Sequence, residues 1–460
     1  MADDLVRLTA PASKSASHRY IIAAALAPGV SRVRHVLESR DLERTRAILC
    51  AAGAVMRPLA DADGWEVRGL TRPQGGSDAD GALSCDVHES GTTCRLLTAV
   101  LAAGQGFFRI HGADRMHERP VGDLVRILSA LGADIRYEGQ PGCPPLLLRA
   151  RGLDPALCGG AAAVPMDVSS QYFSGLLLAA PLARAPLVLE VAGDKAVSWP
   201  YVGLTLQCLE DFGLEPCLET REHPEAEWEA SVLRPRREPR EAKPGCLRVR
   251  MKPAHYKAGD YSVEGDWSGA SYLLAAGAVG RRPVRVDDLR LDSLQGDRAI
   301  LDLLRSMGAK VEVEEGVGTG AATVFPSRLK AVEADMSACP DIVPTLAVLA
   351  AFAEGTSRLH NVAHLRVKES DRIAAPAAEL RKVGVSVEDR PDGLVVRGLY
   401  PEKPHPDAET RFSAHNDHRI AMSLALLGLP GRTNAAAWLD DPDVVAKSFP
   451  DFWNVWSKVL

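Results

Sequence analysis

The residues able to do chemistry cluster in short polar stretches, each ahead of an apolar run. Residues 11–19 read PASKSASHR, with Lys14, Ser15 and Arg19; SGTTCR carries Gly91, Thr92 and Arg95; and GADRMHERP carries Arg115 and Arg119. Further on come Ser169, Ser170 and Gln171 in SSQ, Asp266 and Ser268 in EGDWSGASY, and Asp341 in PDIVPT. Last are Lys368, Glu369 and Arg372 in RVKESDR, Asp417, His418 and Arg419 in NDHR, and Lys447 in VVAKSFPDF. A cation in a helix's first turn opposes the helix dipole at a cost of roughly 0.3–1 kcal/mol. Repeated use of Lys and Arg there therefore predicts an anionic ligand, such as a phosphate or carboxylate, held by unpaired helix N–H groups and guanidinium forks. The chain lacks GxSxG, HExxH and GxxxxGK[ST], so neither a serine nucleophile elbow, a zincin site nor a P-loop is indicated. His415 and His418 have no third ligand within sight, and no metal or other cofactor is expected. Carboxylates and lysines among cations suit proton transfer on an anionic substrate.

The elements that must position these residues repeat. A polar start, about three turns of Ala- and Leu-rich helix and a β-branched stretch recur six times, from Ser13, Ser90, Ser169, Ser268, Asp341 and Asp417. The starts are 77, 79, 99, 73 and 76 residues apart, close to a constant period. These helices are apolar almost all round and should be buried. Between them lie amphipathic helices that end in Gly and run into an alternating strand: TRAILCAAGAVMR, LVRILSALGADIRYE, TLQCLEDFGLEPCLE, AILDLLRSMGAKVEVE and AAELRKVGVSVEDR. Each unit is thus mixed α/β, and six units fall into two groups of three. The one long interval holds a Pro-rich, charged insertion at about 221–246, read as an exposed loop.

The chain has 460 residues, 46% hydrophobic and 25% charged, enough for two or three ordinary cores. Its longest apolar stretches are far short of a membrane span, and Met1 leads into PASKS without a secretory signal, so a cytoplasmic protein is expected. A net charge of -6 gives no general attraction to nucleic acid or an anionic membrane, and nine scattered cysteines suggest neither disulfides nor a zinc ribbon.

Taken in order, SKSxSxR, GTTxR, RMxERP, SSQ, EGDxSxASY, PD followed by PT, RVKESDR, NDHR and KSFPDF resemble the 5-enolpyruvylshikimate-3-phosphate synthase family over nearly the whole chain. The resemblance implies transfer of the enolpyruvyl group of phosphoenolpyruvate to the 5-hydroxyl of shikimate 3-phosphate, with release of phosphate, on the route to chorismate and aromatic amino acids. It implies a two-domain inside-out α/β barrel of six repeated units, hinged around an active cleft. Residues 14–262 would form one lobe and residues 1–13 with 263–460 the other. A monomer with two small-molecule substrates is expected.

Carried over by position, the resemblance makes Lys14, Ser15, Arg19, Ser169, Ser170, Gln171, Ser198, Tyr201, Asp341, His364 and Lys368 ligands of shikimate 3-phosphate. Lys14, Gly91, Arg119, Gln171, Arg372, Arg419 and Lys447 would hold phosphoenolpyruvate. Asp341 would accept the 5-hydroxyl proton, Glu369 would protonate the methylene carbon, and Lys14 or Lys447 would assist departure of phosphate from a tetrahedral ketal intermediate. Three departures stand out: His364 where well-known members have Asn, Glu89-Ser90 in place of Asn-Ala before Gly91, and Leu96 in place of the Pro after Arg95. Gly91, retained, lets a ligand approach the backbone, and inhibition by glyphosate competing with phosphoenolpyruvate is expected. The related UDP-N-acetylglucosamine enolpyruvyl transferases are an alternative, but they have Lys-Asn at Lys14-Ser15 and a loop cysteine within the stretch from Gly112 to Pro120, which here has none. A non-catalytic, anion-binding repeat scaffold is the alternative from another class.

Overall fold

The computed structural model describes residues 5–60, 63–230, 242–316, 319–431 and 433–460. The middle of the charged insertion, 231–241, lies outside the described residues. The chain divides into two compact units: Lys14–Val263, here the N-proximal unit, and the chain through Ser13 with Glu264–Leu460, the C-proximal unit.

Each unit is built from one local rule. A strand leads into a buried helix, which returns to a parallel neighbouring strand; a second helix and two antiparallel strands then complete the sheet. Leu83–Asp86, helix Gly91–Ala102 and strand Gln105–His111 show it plainly: the two strands pair in parallel, and Leu146–Arg151 and Asp134–Tyr137 follow antiparallel. Five sheets among the described residues share this order, each starting with one parallel pair. Two are completed from far along the chain. Val6–Thr9 precedes helix Lys14–Ala25 in sequence but pairs with Val284–Leu289, while Asp260–Ser262 pairs with Val30–Arg34 in its stead. These two pairings set the division at Ser13/Lys14 and Val263/Glu264.

The apolar helices form the cores. Helix Gly91–Ala102 packs closely on Gln171–Ala179, and a Cβ at Gly175 would lie 2.9 Å from the Arg95 carbonyl oxygen, so the glycine is what permits the approach. Ile21, Leu97, Phe173 and Leu206 are fully buried in one core; Leu273, Leu346, Ile420 and Phe452 are fully or almost fully buried in the other. Strands such as Val6–Thr9 and Leu187–Ala192 alternate buried and more exposed positions, so the sheets lie outside the helices, as an inside-out barrel requires. The second helices Arg40–Ala51, Gly122–Ala130, Pro200–Asp211, Ile300–Ser306 and Ala374–Arg381 all end within a few residues of a glycine at positive φ, Gly53, Gly132, Gly213, Gly308 and Gly384. That left-handed residue turns the chain into the next strand, as the sequence pattern predicts. Pro200–Asp211, however, is buried without a break from Val202 to Leu209 and is not the outer helix the sequence predicts.

Several expectations need correction. Among the described residues the sixth repeat has no strand after helix His418–Leu424: its Ala-rich AAAW forms a 3-10 turn, Ala435–Trp438, for lack of β-branched residues. The helix expected from Ser268 starts at Trp267, capped by Asp266. Asp341 lies in a 3-10 turn, Pro340–Ile342, ahead of helix Val343–Ala351, and RVKESDR precedes helix Ala374–Arg381 rather than opening it.

Candidate active site

Within each unit three buried helices begin side by side, and the polar stretches gather there. In the N-proximal unit, Gln171 opens its helix and bridges the start of another: its Nε2 donates to Thr92 Oγ1 at 2.9 Å, and its Oε1 accepts from Arg95 Nη1 at 2.9 Å. Arg19, 2% exposed, donates to Thr205 Oγ1 at 2.7 Å, to Ser174 Oγ at 3.3 Å and to the carbonyls of Ser15 and Tyr201 at 2.7 and 2.9 Å. None of these oxygens carries a formal charge. Burial lowers the Arg19 guanidinium to about 10, so it stays cationic at neutral pH without a carboxylate among these partners.

Lys14 is different. Its Nζ meets Asp41 Oδ2 at 2.5 Å, both side chains being largely buried. The charge that the sequence left for a ligand to balance is already countered inside the protein by an acid on the outer helix Arg40–Ala51. Asp41 escaped the sequence reading because an acid in a first turn is an ordinary dipole partner.

Gly91 and Arg119 form one feature. Arg119 is 5% exposed and donates from Nη1 to the Glu89 carbonyl at 3.0 Å. Its guanidinium covers the Gly91 Cα so closely that a Cβ there would lie 2.4 Å from Nη2 and 2.6 Å from Cζ. Ser90 caps the Gly91 helix by accepting from the Thr93 N–H at 3.2 Å. The Glu89-Ser90 departure thus supplies a capping side chain where the resemblance has Ala. Arg115, by contrast, is drawn into an ion pair with Glu118 on the surface. Ser169 Oγ accepts from the Gln171 N–H at 3.2 Å, whereas Ser170, at the N-cap position, uses no side-chain cap bond. Ser198 is 4% exposed with φ of 57°, an unfavourable backbone state of the kind retained at functional sites. The Tyr201 backbone carbonyl serves Arg19, Ser174 and Thr205 together.

The C-proximal unit gathers Asp341, Glu369, Arg372, Arg419 and Asp417. Arg372, 2% exposed, forks onto Asp417 at 2.7 and 3.2 Å, reaches Asp341 Oδ1 at 2.9 Å and meets Glu369 at 2.8 Å. Arg419 Nη2 donates to Asp341 Oδ2 at 2.6 Å, so Asp341 is held by two guanidinium groups. Burial alone would lower the Arg372 pKa, but Asp417, Glu369 and Asp341 together hold it above the usual arginine value. Lys447, 8% exposed, donates to both the carbonyl and Oδ1 of Asn416, at 2.8 and 2.9 Å. His364 is buried in the 3-10 turn Ala363–Val367, and Lys368 is half-buried just beyond it. Behind Asp341 stand two further buried acids. Burial raises Asp297 to about 7 and Asp266 to about 6; the Asp341 charge reinforces both shifts, and Arg419 opposes them.

Asp417 was named in the sequence without a partner, and Asn416 and Ser370 only as parts of NDHR and KESDR; that Asp417 holds Arg372, Asn416 holds Lys447 and Ser370 donates to Asp417 emerges from contacts across more than thirty residues of chain. No group of three or more His, Cys, Asp or Glu side chains suited to a metal ion occurs among the described residues. No helix among them is long and apolar enough to cross a membrane.

The profile of the EPSP synthase (3-phosphoshikimate 1-carboxyvinyltransferase) family matches residues 6–225 and 241–456. Curated relatives named 3-phosphoshikimate 1-carboxyvinyltransferase include one from Thiobacillus denitrificans, 40% identical over 100% of this chain and 97% of its own. Another, from Cellvibrio japonicus, is 37% identical over 98% and 96%. Among solved structures, an EPSP synthase from Acinetobacter baumannii superposes with a TM-score of 0.72 at 24% identity, covering 98% of this chain and 94% of that one. The enolpyruvyl transferase NikO from Streptomyces tendae gives 0.69 at 19%, covering 99% and 94%. At those identities the structural likeness speaks to the fold.

Proposed function

The chain belongs to the EPSP synthase family, and from that premise we propose that it transfers the enolpyruvyl group of phosphoenolpyruvate to the 5-hydroxyl of shikimate 3-phosphate, releasing phosphate. The observation that carries the reading is Asp341, a carboxylate held by Arg372 and Arg419 in a group where cations and carboxylates are nearly matched. Such a group is poised for acid–base work on an anion, which mere storage of an anion would not need.

The N-proximal residues Lys14, Ser15, Arg19, Ser169, Ser170, Gln171, Ser198 and Tyr201 are assigned to shikimate 3-phosphate, with Lys14 and Gln171 also serving phosphoenolpyruvate. Gly91, Arg119, Arg372, Arg419 and Lys447 are assigned to phosphoenolpyruvate, and Lys368 and His364 to the sugar acid. Supporting this, Arg19 is a buried cation whose hydrogen-bond partners are neutral. Supporting the phosphoenolpyruvate assignment, the Arg119 guanidinium is seated on Gly91 at the start of a helix, a close approach that only a glycine permits.

Glu369 protonates the methylene carbon, the 5-hydroxyl adds to the neighbouring carbon as Asp341 takes its proton, and a ketal phosphate forms. Lys14 or Lys447 then neutralises the phosphate as its C–O bond breaks, and the methyl carbon gives up a proton to restore the enol double bond of the product. Glu369 shares Arg372 with Asp341 and Asp417. A polyanion that draws on the same guanidinium competes with Glu369 for it.

The test is phosphate release by the purified chain with both substrates. Release that requires both, with the enolpyruvyl ether as co-product, supports the proposal; silence with intact folding refutes it and leaves the anion-binding scaffold.

A further inference from the structure

We propose that Glu379 and His415 form a latch that positions Lys447 and Asp417, and through Asp417 the Arg372 fork. The inference rests on the roles proposed above for Lys447 and Arg372. His415, considered as a metal ligand on sequence grounds, finds its use here instead.

His415 and Asn416 have φ of 51° and 52°, two consecutive non-glycine residues in the left-handed region. That conformation is unfavourable for side chains with a Cβ and persists only when surrounding contacts hold it. The turn leads into contacts that matter to the site: Asn416 presents its carbonyl and Oδ1 to Lys447 Nζ, and the next residue, Asp417, caps helix His418–Leu424 while receiving the Arg372 fork. The backbone must enter that cap in one orientation.

What holds the turn is a carboxylate from another element. Glu379, on helix Ala374–Arg381, is 1% exposed and accepts from His415 Nε2 at 2.9 Å, the Ser413 N–H at 3.0 Å and Lys382 Nζ at 2.7 Å. Burial would raise its pKa, yet His415, Lys382 and Ser413 together hold it below the usual carboxylate value, so it is ionised at neutral pH. Nε2 of His415 is therefore the donor. A second acid, Asp440, accepts from Ser413 Oγ at 2.7 Å and the Ala414 N–H at 2.8 Å, so the segment entering the turn is fixed on two sides. Asp440 fixes Ser413 and Ala414, the His415 N–H donates to Ser413 Oγ at 3.1 Å, and Glu379 grips the left-handed His415 through its side chain from another helix. Glu379 and His415 are positioning residues: their bond fixes the turn, and Asn416 and Asp417 at the turn hold Lys447 and Arg372, the groups proposed to meet substrate.

The experiment compares His415→Ala, His415→Gln and Glu379→Gln in the full chain. The His415 side chain is about a third exposed, so His415→Ala should fold with a thermal midpoint near wild type. In His415→Ala, kcat should fall roughly tenfold to a hundredfold, the range a displacement of about 1 Å produces, and KM for phosphoenolpyruvate should rise more than KM for shikimate 3-phosphate. His415→Gln, whose amide can still donate to Glu379, should restore most of the loss, and Glu379→Gln should behave between the two. A readout independent of the reaction is the rate at which trinitrobenzenesulfonate modifies Lys447, followed by peptide mass spectrometry. It should rise several-fold in His415→Ala and return toward wild type in His415→Gln. Wild-type Lys447 labelling in His415→Ala overturns the latch, as does failure of His415→Gln to restore both readouts. Absent turnover in the wild-type protein refutes the reaction instead and leaves the labelling comparison to decide the latch.

Discussion

Gly91→Ala is the substitution whose effect the structure specifies most closely. An alanine Cβ would sit 2.4, 2.6 and 2.8 Å from Arg119 Nη2, Cζ and Nη1. Carbon contacts relax only near 3.5–4.0 Å, so the guanidinium must retreat by roughly 1 Å. It is the far end of a flexible side chain, and the helix around Gly91 can stay as it is. Folding stability should therefore change by less than about 1 kcal/mol, within the usual range for a substitution that leaves no cavity or unpaired charge. What is lost is the aim of Arg119 at the phosphoenolpyruvate it is proposed to hold. A hydrogen bond to a charged group contributes about 1.5–3 kcal/mol, and about 1.4 kcal/mol is tenfold in affinity. KM for phosphoenolpyruvate should then rise about tenfold to a hundredfold while KM for shikimate 3-phosphate stays within about twofold. Glyphosate, expected to compete with phosphoenolpyruvate, should weaken at least in parallel. The assay is phosphate release across both substrate concentrations, with and without inhibitor. An unchanged KM for phosphoenolpyruvate in a protein of wild-type thermal midpoint would refute the steric argument, and a crystal structure of the variant with Arg119 unmoved would do so directly.

Lys14→Met should lower turnover by at least about a thousandfold, because it removes a cation proposed to stabilise the leaving phosphate; more than a tenth of wild-type turnover would remove Lys14 from the mechanism. Asp297→Asn bears on the acids behind Asp341. Folded Asp297 titrates at about 7 against about 3.9 in an unfolded chain, so the folded state binds the extra proton between those values. Its contribution to stability is complete below about pH 4 and is lost as pH rises toward 7. Asparagine cannot ionise, so the variant should gain stability relative to wild type as pH rises across that window, by roughly 2–4 kcal/mol. Parallel denaturation curves at acid and neutral pH would count against a buried proton at Asp297.

Helix periodicity is a property of neighbouring residues, and the sequence carries it well. The second helices with their glycine stops and the buried Ala- and Leu-rich helices can be read directly, because spacing along a helix decides which face is apolar. The family is equally legible, since its motifs are contiguous runs such as RVKESDR and NDHR. The sixth strand was misjudged because repetition of the helix does not oblige the following segment to be β-branched. Pairings between elements lay beyond local pattern altogether. That Val6–Thr9 joins Val284–Leu289 rather than Val30–Arg34, that Asp41 claims Lys14, that Arg119 covers Gly91 and that Asp417 gathers Arg372 all depend on which buried surfaces meet. A lone acid or arginine looks the same in sequence whether solvated or paired. Burial raises the energy of an uncompensated charge, and only the packed chain reveals which partner answers it.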